Sequence, residues 1–232
     1  MWFNCGIVGL PNVGKSTLFN ALTASAAAAA ANYPFCTIEP NVGRVPVPDA
    51  RLAILAEIGK SARIVPTSLE IVDIAGLVRG ASRGEGLGNQ FLANIREVDA
   101  ILHVLRCFED ADVVHAEGSV DPIRDADIVE TELMLADLES LEKRVIGLTK
   151  RARGGDKESI AQLALIDPIM QALSAGKPAR AAVSTEQQEP ARRLQLLTAK
   201  PELYICNVEE GSVATGNAWS ALVAERAAAD GG

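Results

Sequence analysis

One segment near the N-terminus restricts what this chain can fold into more than any other feature of its sequence. Gly9-Leu10-Pro11-Asn12-Val13-Gly14-Lys15-Ser16 fits the pattern G-x-x-x-x-G-K-S/T, with an apolar run at 3–8 before it and helix-forming residues at 16–22 after it. Glycines let such a loop curl so that successive backbone N–H groups point inward at phosphate oxygens. The order of strand, glycine loop and helix therefore predicts a phosphate-binding loop in an α/β fold.

The side chains of this loop predict how a nucleoside triphosphate is held. Lys15 would place a positive charge between the β- and γ-phosphates, so it is assigned to catalysis as well as to binding. The Ser16 hydroxyl is a candidate ligand for Mg²⁺, and Asn12 is a candidate for helping to seat a monovalent cation. The predicted nucleotide contacts within the loop are Asn12, Val13, Gly14, Lys15, Ser16 and Thr17.

Two further segments carry candidate ligands for the same site. Asp73-Ile74-Ala75-Gly76 follows a predicted strand, so Asp73 is expected to hold Mg²⁺ and the Gly76 N–H to bond the γ-phosphate. Thr37, in the segment between these two motifs, is expected to supply a second hydroxyl ligand to the metal. The glycine-rich residues 79–88 favour a mobile switch segment over a rigid turn.

Apolar segments of strand length recur along the chain and alternate with helical stretches such as 90–98. This order predicts a mostly parallel sheet with helices on both faces. The predicted strands are 3–8, 41–48, 69–72, 100–105 and 203–206.

Residues 127–150 depart from this alternation. Their apolar positions recur at steps of four and three, which is typical of a coiled-coil seam. A break at 154–156 precedes a second helical stretch, in which Pro168 is expected to bend or interrupt the helix. The pattern fits an inserted antiparallel helical hairpin or two ordinary surface helices. The seam residues are Met134, Leu138, Leu141, Val145 and Leu148.

The segment Asn207-Val208-Glu209-Glu210 predicts which base is bound. Proteins that read guanine use Asn-Lys-x-Asp, in which the Asp accepts two hydrogen bonds from the base. Here Asn207 can still contact N7, but Val208 replaces the Lys and Glu210 replaces the Asp. Losing the guanine-specific pair of bonds removes the interaction that rejects adenine. We therefore expect ATP to be preferred over GTP.

The residue after Gly76 bears on hydrolysis. Leu77 stands where Ras-like GTPases carry a water-orienting glutamine, and leucine has no donor or acceptor. Slow intrinsic turnover is therefore expected. Of the two histidines, His103 lies in an apolar strand and is interpreted as a core residue, whereas His115 lies in a predicted loop and is the candidate catalytic base.

Composition excludes several other classes of protein. The net charge of −8 disfavours a nucleic-acid coat over the whole surface, although it leaves room for a local basic strip. No specific DNA partner is expected. No apolar run reaches the ~20 residues that span a bilayer, and residues 1–4 lack the basic start and apolar run typical of a secretory signal. The four cysteines are scattered without metal-binding spacing, which favours reduced thiols in the cytoplasm.

The phosphate loop, residues 32–41, residues 73–91 and the segment 207–210 together resemble the YchF subfamily of Obg-like ATPases. The resemblance implies a Ras-like domain, a coiled-coil arm and a small β-rich TGS domain. It also implies a cytosolic ATPase that associates with ribosomes, so the expected partner is the ribosome or its large subunit. The resemblance places the Mg²⁺ ligands at Ser16 and Thr37, the base-reading segment at 207–210 and the catalytic histidine at His115.

The expected domain boundaries are 1–125 for the first part of the nucleotide-binding domain, 126–200 for the helical insertion and 201–232 for the continuation of the first domain. The chain ends soon after the base-reading segment, so the sixth strand and the TGS domain are expected to be missing. An exposed sheet edge and reduced stability would follow. An ATP-hydrolysing switch, an ATP-sensing binder without meaningful turnover and an Obg-type GTPase remain the three functional hypotheses.

Overall fold

The computed structural model describes residues 3–23, 41–74, 76 and 87–230. Helices and strands alternate through the first half of the chain, and two long helices then interrupt the alternation. The strands are β1 (Asn4–Val8), β2 (Asn41–Pro46), β3 (Ser68–Asp73), β4 (Ala100–Cys107) and β5 (Glu202–Val208). The helices are α1 (Lys15–Thr23), α2 (Arg51–Gly59), α3 (Leu87–Glu97), α4 (Pro122–Arg153), α5 (Lys157–Ser174), α6 (Gln188–Arg192) and α7 (Ala218–Asp230).

The five described strands form one sheet in the order β2-β3-β1-β4-β5. All neighbouring pairs are parallel except β2 with β3, which is antiparallel. The mostly parallel sheet predicted from the sequence is therefore confirmed. Because parallel strands end at the same edge of a sheet, the C-terminal ends of β1, β3 and β5 gather there. The phosphate loop follows β1, and Asp73 and Asn207 lie in the last residues of β3 and β5.

The β5 strand forms one edge of this sheet. It pairs with β4, and within the described ranges no further strand pairs with it. Helix α7, which was not predicted from the sequence, packs on β5 through the buried Val223. The alanine-rich stretch before residue 230 thus continues a helix. Among the described residues β5 is therefore an edge strand, and the expected effect on stability remains a prediction.

Helices α4 and α5 form the predicted antiparallel hairpin. A tight turn at 154–156 connects them, and the Asp156 carboxylate accepts a hydrogen bond from the Ser159 N–H to begin α5. All five seam residues of α4 pack in one apolar cluster with Leu165, Ile166 and other α5 residues, which confirms the seam. Helix α5 runs through Pro168, which excludes the interruption that was one of the two expected effects of this proline; the bend remains a prediction.

The N-terminal half of α4 belongs to a different cluster. Val129 and Leu133 pack with residues of the sheet, including Ile7 and Val104. Helix α4 therefore continues through residue 126, where the domain boundary is expected, and joins the sheet core to the hairpin. The boundaries at 126 and 200 remain predictions.

His103 lies in the core of the sheet, as expected. Its ring is fully buried, and its Nδ1 lies 2.8 Å from an oxygen of Glu202, whose other oxygen accepts from Arg180 at 2.9 Å. Glu130 lies close to this pair but is itself bonded to Tyr204 and Arg226. Since each carboxylate already has cationic or hydroxyl partners, the cluster is interpreted as a structural network that joins β4, β5, α4 and α7.

Cys5, Cys107 and Cys206 are free thiols, and Cys36 lies outside the described residues. In the described part of the chain, every helix is too short or too polar to span a bilayer.

Candidate functional site

The phosphate loop between β1 and α1 needs glycine at two positions. Gly9 and Gly14 have φ values of +148° and +99°, a region that L side chains rarely adopt. A Cβ at Gly9 would lie 2.4 Å from the Val104 carbonyl oxygen, and one at Gly14 would lie 2.4 Å from the Asn207 side-chain nitrogen. The loop thus packs against β4 and β5 with no room for a side chain.

Lys15 is buried at the first turn of α1. Its ammonium donates to the Leu10 carbonyl at 2.7 Å, which places it under the curled loop. Burial lowers the pKa of Lys15 to about 8, an effect that the nearby Asp73 carboxylate partly offsets. A buried cation held by a backbone carbonyl is poised to be stabilised by an anion entering the loop.

Gly76 lies against the same loop. A Cβ added to it would be 3.1 Å from the Lys15 ammonium and 3.2 Å from the Pro11 backbone nitrogen. The two segments predicted to sense the γ-phosphate are therefore in contact. Leu77 and the glycine-rich residues that follow, up to 86, lie outside the described residues.

The candidate metal ligands Ser16 and Asp73 meet at the end of β3. The Ser16 hydroxyl donates to an Asp73 carboxylate oxygen at 2.9 Å. Burial raises the pKa of Asp73, while the Ser16 bond and the Lys15 charge act in the opposite direction. A hydroxyl and a carboxylate side by side are the oxygen ligands that Mg²⁺ prefers, so this pair fits the cation. Thr37 lies outside the described residues.

The base-reading segment is attached to the phosphate loop by Asn207. Its side-chain amide donates to the Val13 carbonyl at 3.0 Å, and the Val13 side chain is buried in the sheet core. Val208 completes β5, and Glu210 is exposed at the start of a short 3₁₀ turn. Thr17 is also exposed, on the first turn of α1. The predicted phosphate and base segments therefore adjoin one another at one edge of the sheet.

His115 lies in the connection between β4 and α4 and is nearly buried. Its Nε2 lies 2.8 Å from an Asp125 carboxylate oxygen, and its Nδ1 accepts from the Glu117 N–H at 3.0 Å. The preceding carbonyl, of Val114, accepts from the Asn12 side chain at 3.0 Å. The loop of the candidate base thus contacts the phosphate loop.

Arg106 and Asp125 hold this connection, and neither was predicted from the sequence. Arg106 is 2% exposed and donates to the carbonyls of Phe108, Asp110 and Val113 at 2.9–3.1 Å. An arginine within an otherwise apolar strand was the available signal, since a buried guanidinium needs several acceptors. Asp125 had no comparable signal, because acidic residues are common in the first turn of a helix.

Comparisons with known proteins agree with this geometry. A family model described as 50S ribosome-binding GTPase matches residues 4–153. The ribosome-binding ATPase YchF of Haemophilus influenzae is 59% identical over 211 residues, which cover 90% of this chain and 58% of that protein. The corresponding protein of Bacillus subtilis is 51% identical over 233 residues, covering 99% of this chain and 63% of its own length.

A solved structure of the YchF GTPase of Schizosaccharomyces pombe is also similar. It superposes with a TM-score of 0.76 at 42% identity, covering 97% of this chain and 62% of that one. The chain therefore spans about three fifths of the length of these relatives. The resemblance to the YchF subfamily drawn from the sequence is confirmed, and the chain belongs to the 50S ribosome-binding GTPase family.

Proposed function

We propose that this chain binds ATP with Mg²⁺, hydrolyses it slowly and acts as a nucleotide-controlled switch on the ribosome. The observation that carries the proposal is the buried Lys15 ammonium beneath a glycine loop, beside the Ser16–Asp73 pair. This arrangement supplies a cation and two oxygen ligands at one edge of the sheet. Relatives named as ribosome-binding ATPases support the choice of nucleotide and partner.

Different residues of the site bind the phosphates and the metal ion. Backbone N–H groups of the loop and the Lys15 charge bind the phosphates, and the Gly76 N–H would donate a hydrogen bond to the γ-phosphate. Mg²⁺, held by Ser16, Asp73 and Thr37, would neutralise charge on the phosphate oxygens.

His115 would act as the general base. Its Nδ1 takes a proton from the water whose oxygen bonds to the γ-phosphorus, while the bond from that phosphorus to the bridging oxygen breaks and ADP leaves. In this structure Nδ1 accepts the Glu117 N–H, so that contact must open first. The slow intrinsic turnover expected from Leu77 agrees with this requirement.

We expect stimulation of hydrolysis by ribosomes. Phosphate release is measured from this chain alone and with purified large subunits, the Lys15→Ala variant serving to subtract background hydrolysis. We expect slow release by the chain alone and a rise of about tenfold or more with large subunits, because partners commonly supply the missing transition-state contacts. Negligible release in both cases would instead favour the ATP-sensing binder, to which Leu77 points.

We expect ATP to bind more tightly than GTP by about 100-fold, because Val208 and Glu210 do not make the contacts that guanine requires. Competition for a fluorescent adenine nucleotide at equilibrium measures this preference. The double variant Val208→Lys, Glu210→Asp restores Asn-Lys-x-Asp and should shift the preference toward GTP. Tighter GTP binding by the unaltered chain would favour the GTPase hypothesis.

A further inference from the structure

The loop between β4 and α4 is held at three places. Arg106 donates to three of its carbonyls from within β4, and Asn12 of the phosphate loop donates to the Val114 carbonyl. Asp125, in the first turn of α4, holds His115. The loop is therefore attached to the sheet, to the nucleotide site and to the helix that continues into the hairpin.

The contacts of His115 define one state of its ring. The Asp125 side chain is 1% exposed, and one of its oxygens lies 2.8 Å from Nε2. Its other oxygen accepts from the Arg124 guanidinium at 3.0 and 3.2 Å, so both carboxylate oxygens are placed as acceptors. The ring proton is therefore assigned to Nε2, which faces the first of these oxygens. Nδ1 accepts the Glu117 N–H, so it carries none.

We propose that Asp125 is a positioning residue for His115. By accepting from Nε2–H, the Asp125 carboxylate selects the tautomer in which Nδ1 is the free base, and it stabilises the ring once Nδ1 takes a proton. The proposal rests on the proposed function of His115. It also makes the base of the helical hairpin part of the hydrolytic machinery, because Asp125 belongs to α4.

The contact between Asp125 and His115 differs from an ordinary helix cap, and the N-cap residue of the same helix provides a control. Asp121 is the N-cap of α4 and accepts from the Arg124 backbone N–H at 3.0 Å. Asp121→Ala should weaken the helix start and lower the melting temperature. It should leave kcat within about twofold, because His115 keeps its partner.

A double-mutant cycle tests the proposal through activity. We expect His115→Ala to lower kcat about 100-fold and Asp125→Ala to lower it at least about tenfold, with KM for ATP changed less than about threefold. In the His115→Ala background, Asp125→Ala should have no further effect on kcat, because its role is exerted through the ring. Asp125→Asn keeps an acceptor for Nε2–H and should lie between the wild type and Asp125→Ala.

Nitrogen NMR of the imidazoles tests the same proposal without activity. The chain has two histidines, so His115→Ala assigns the signals. We expect the His115 ring to carry its proton on Nε2 in the wild type and in Asp121→Ala, and to populate both tautomers in Asp125→Ala. An unchanged tautomer in Asp125→Ala would overturn the proposal.

The outcomes separate this proposal from the proposed function. If Asp125→Ala lowered kcat equally in the presence and absence of His115, Asp125 would have a structural role, and the proposal that it positions His115 would be overturned. A chain without measurable hydrolysis, even with large subunits, would refute the proposed activity, and the tautomer measurement would still decide whether Asp125 sets the ring.

Discussion

Replacing Lys15 with alanine should lower the affinity for Mg²⁺-ATP by about 100-fold or more. The Lys15 ammonium is buried beneath the phosphate loop, and removing one partner of a desolvated charge pair commonly costs ~2–5 kcal/mol. Isothermal titration calorimetry at pH 7, with and without Mg²⁺, measures the loss. Undiminished binding that still depends on Mg²⁺ would refute the assignment of the phosphate site.

The same substitution should not unfold the nucleotide-free protein. Burial lowers the Lys15 pKa to about 8, so keeping the ammonium charged in the fold costs free energy. This cost is fully present below about pH 8, the pKa of Lys15 in the folded chain. It decreases as the pH rises toward the ordinary pKa of lysine, because the unfolded chain then loses the same proton. Lys15→Ala should therefore unfold at an equal or higher urea concentration at pH 7.

A matched control uses Lys143, an exposed lysine of α4 that pairs with Glu139. Lys143→Ala removes the same charge from the chain far along the hairpin. It should leave the ATP affinity unchanged within about twofold, since exposed ion pairs contribute little. Comparable losses in both variants would assign the effect to net charge.

Replacing Asp137 with alanine should reduce the free energy of unfolding by about 3–5 kcal/mol. Asp137 is 1% exposed on α4, and its carboxylate accepts from the Leu197 N–H, the Thr198 N–H and the Thr198 hydroxyl at 2.7–2.8 Å. Alanine would leave these buried donors without a partner. Urea unfolding followed by circular dichroism measures the change.

The control for Asp137 is Asp167, an exposed acidic residue of α5. Asp167→Ala should change the free energy of unfolding by less than about 0.5 kcal/mol. Asp137→Asn, which retains an acceptor oxygen, should lose less than Asp137→Ala. Equal unfolding midpoints for Asp137→Ala and Asp167→Ala would show that the buried carboxylate does not hold the segment before β5.

The strands and the hairpin seam could be predicted because their signals are local. Each strand prediction rested on a short apolar run, and the seam rested on the spacing of apolar residues along one helix. Helix α2 was not predicted: it buries none of its residues, so its exposed Ile54 and Ile58 gave no one-sided pattern. Helix α7 was missed because its alanine-rich sequence has few apolar anchors besides Val223.

The pairing direction of β2 could not be predicted from the sequence either. Alternation of strands and helices predicted a mostly parallel sheet, and β2 nevertheless pairs antiparallel with β3. Strand propensity says nothing about which neighbour a strand pairs with, because the ladder bonds form between distant parts of the chain.

The sequence by itself determined the phosphate loop, because its glycines, Lys15 and Ser16 are neighbours in the chain and act through local backbone geometry. Only the tertiary structure decided that Asp125 contacts His115. It also decided that Asp137 binds Leu197 and Thr198, which lie about 60 residues after Asp137 in the chain. Such contacts depend on how α4 packs against other elements. A carboxylate on a helix has the same local sequence signal whether it faces water or a buried partner.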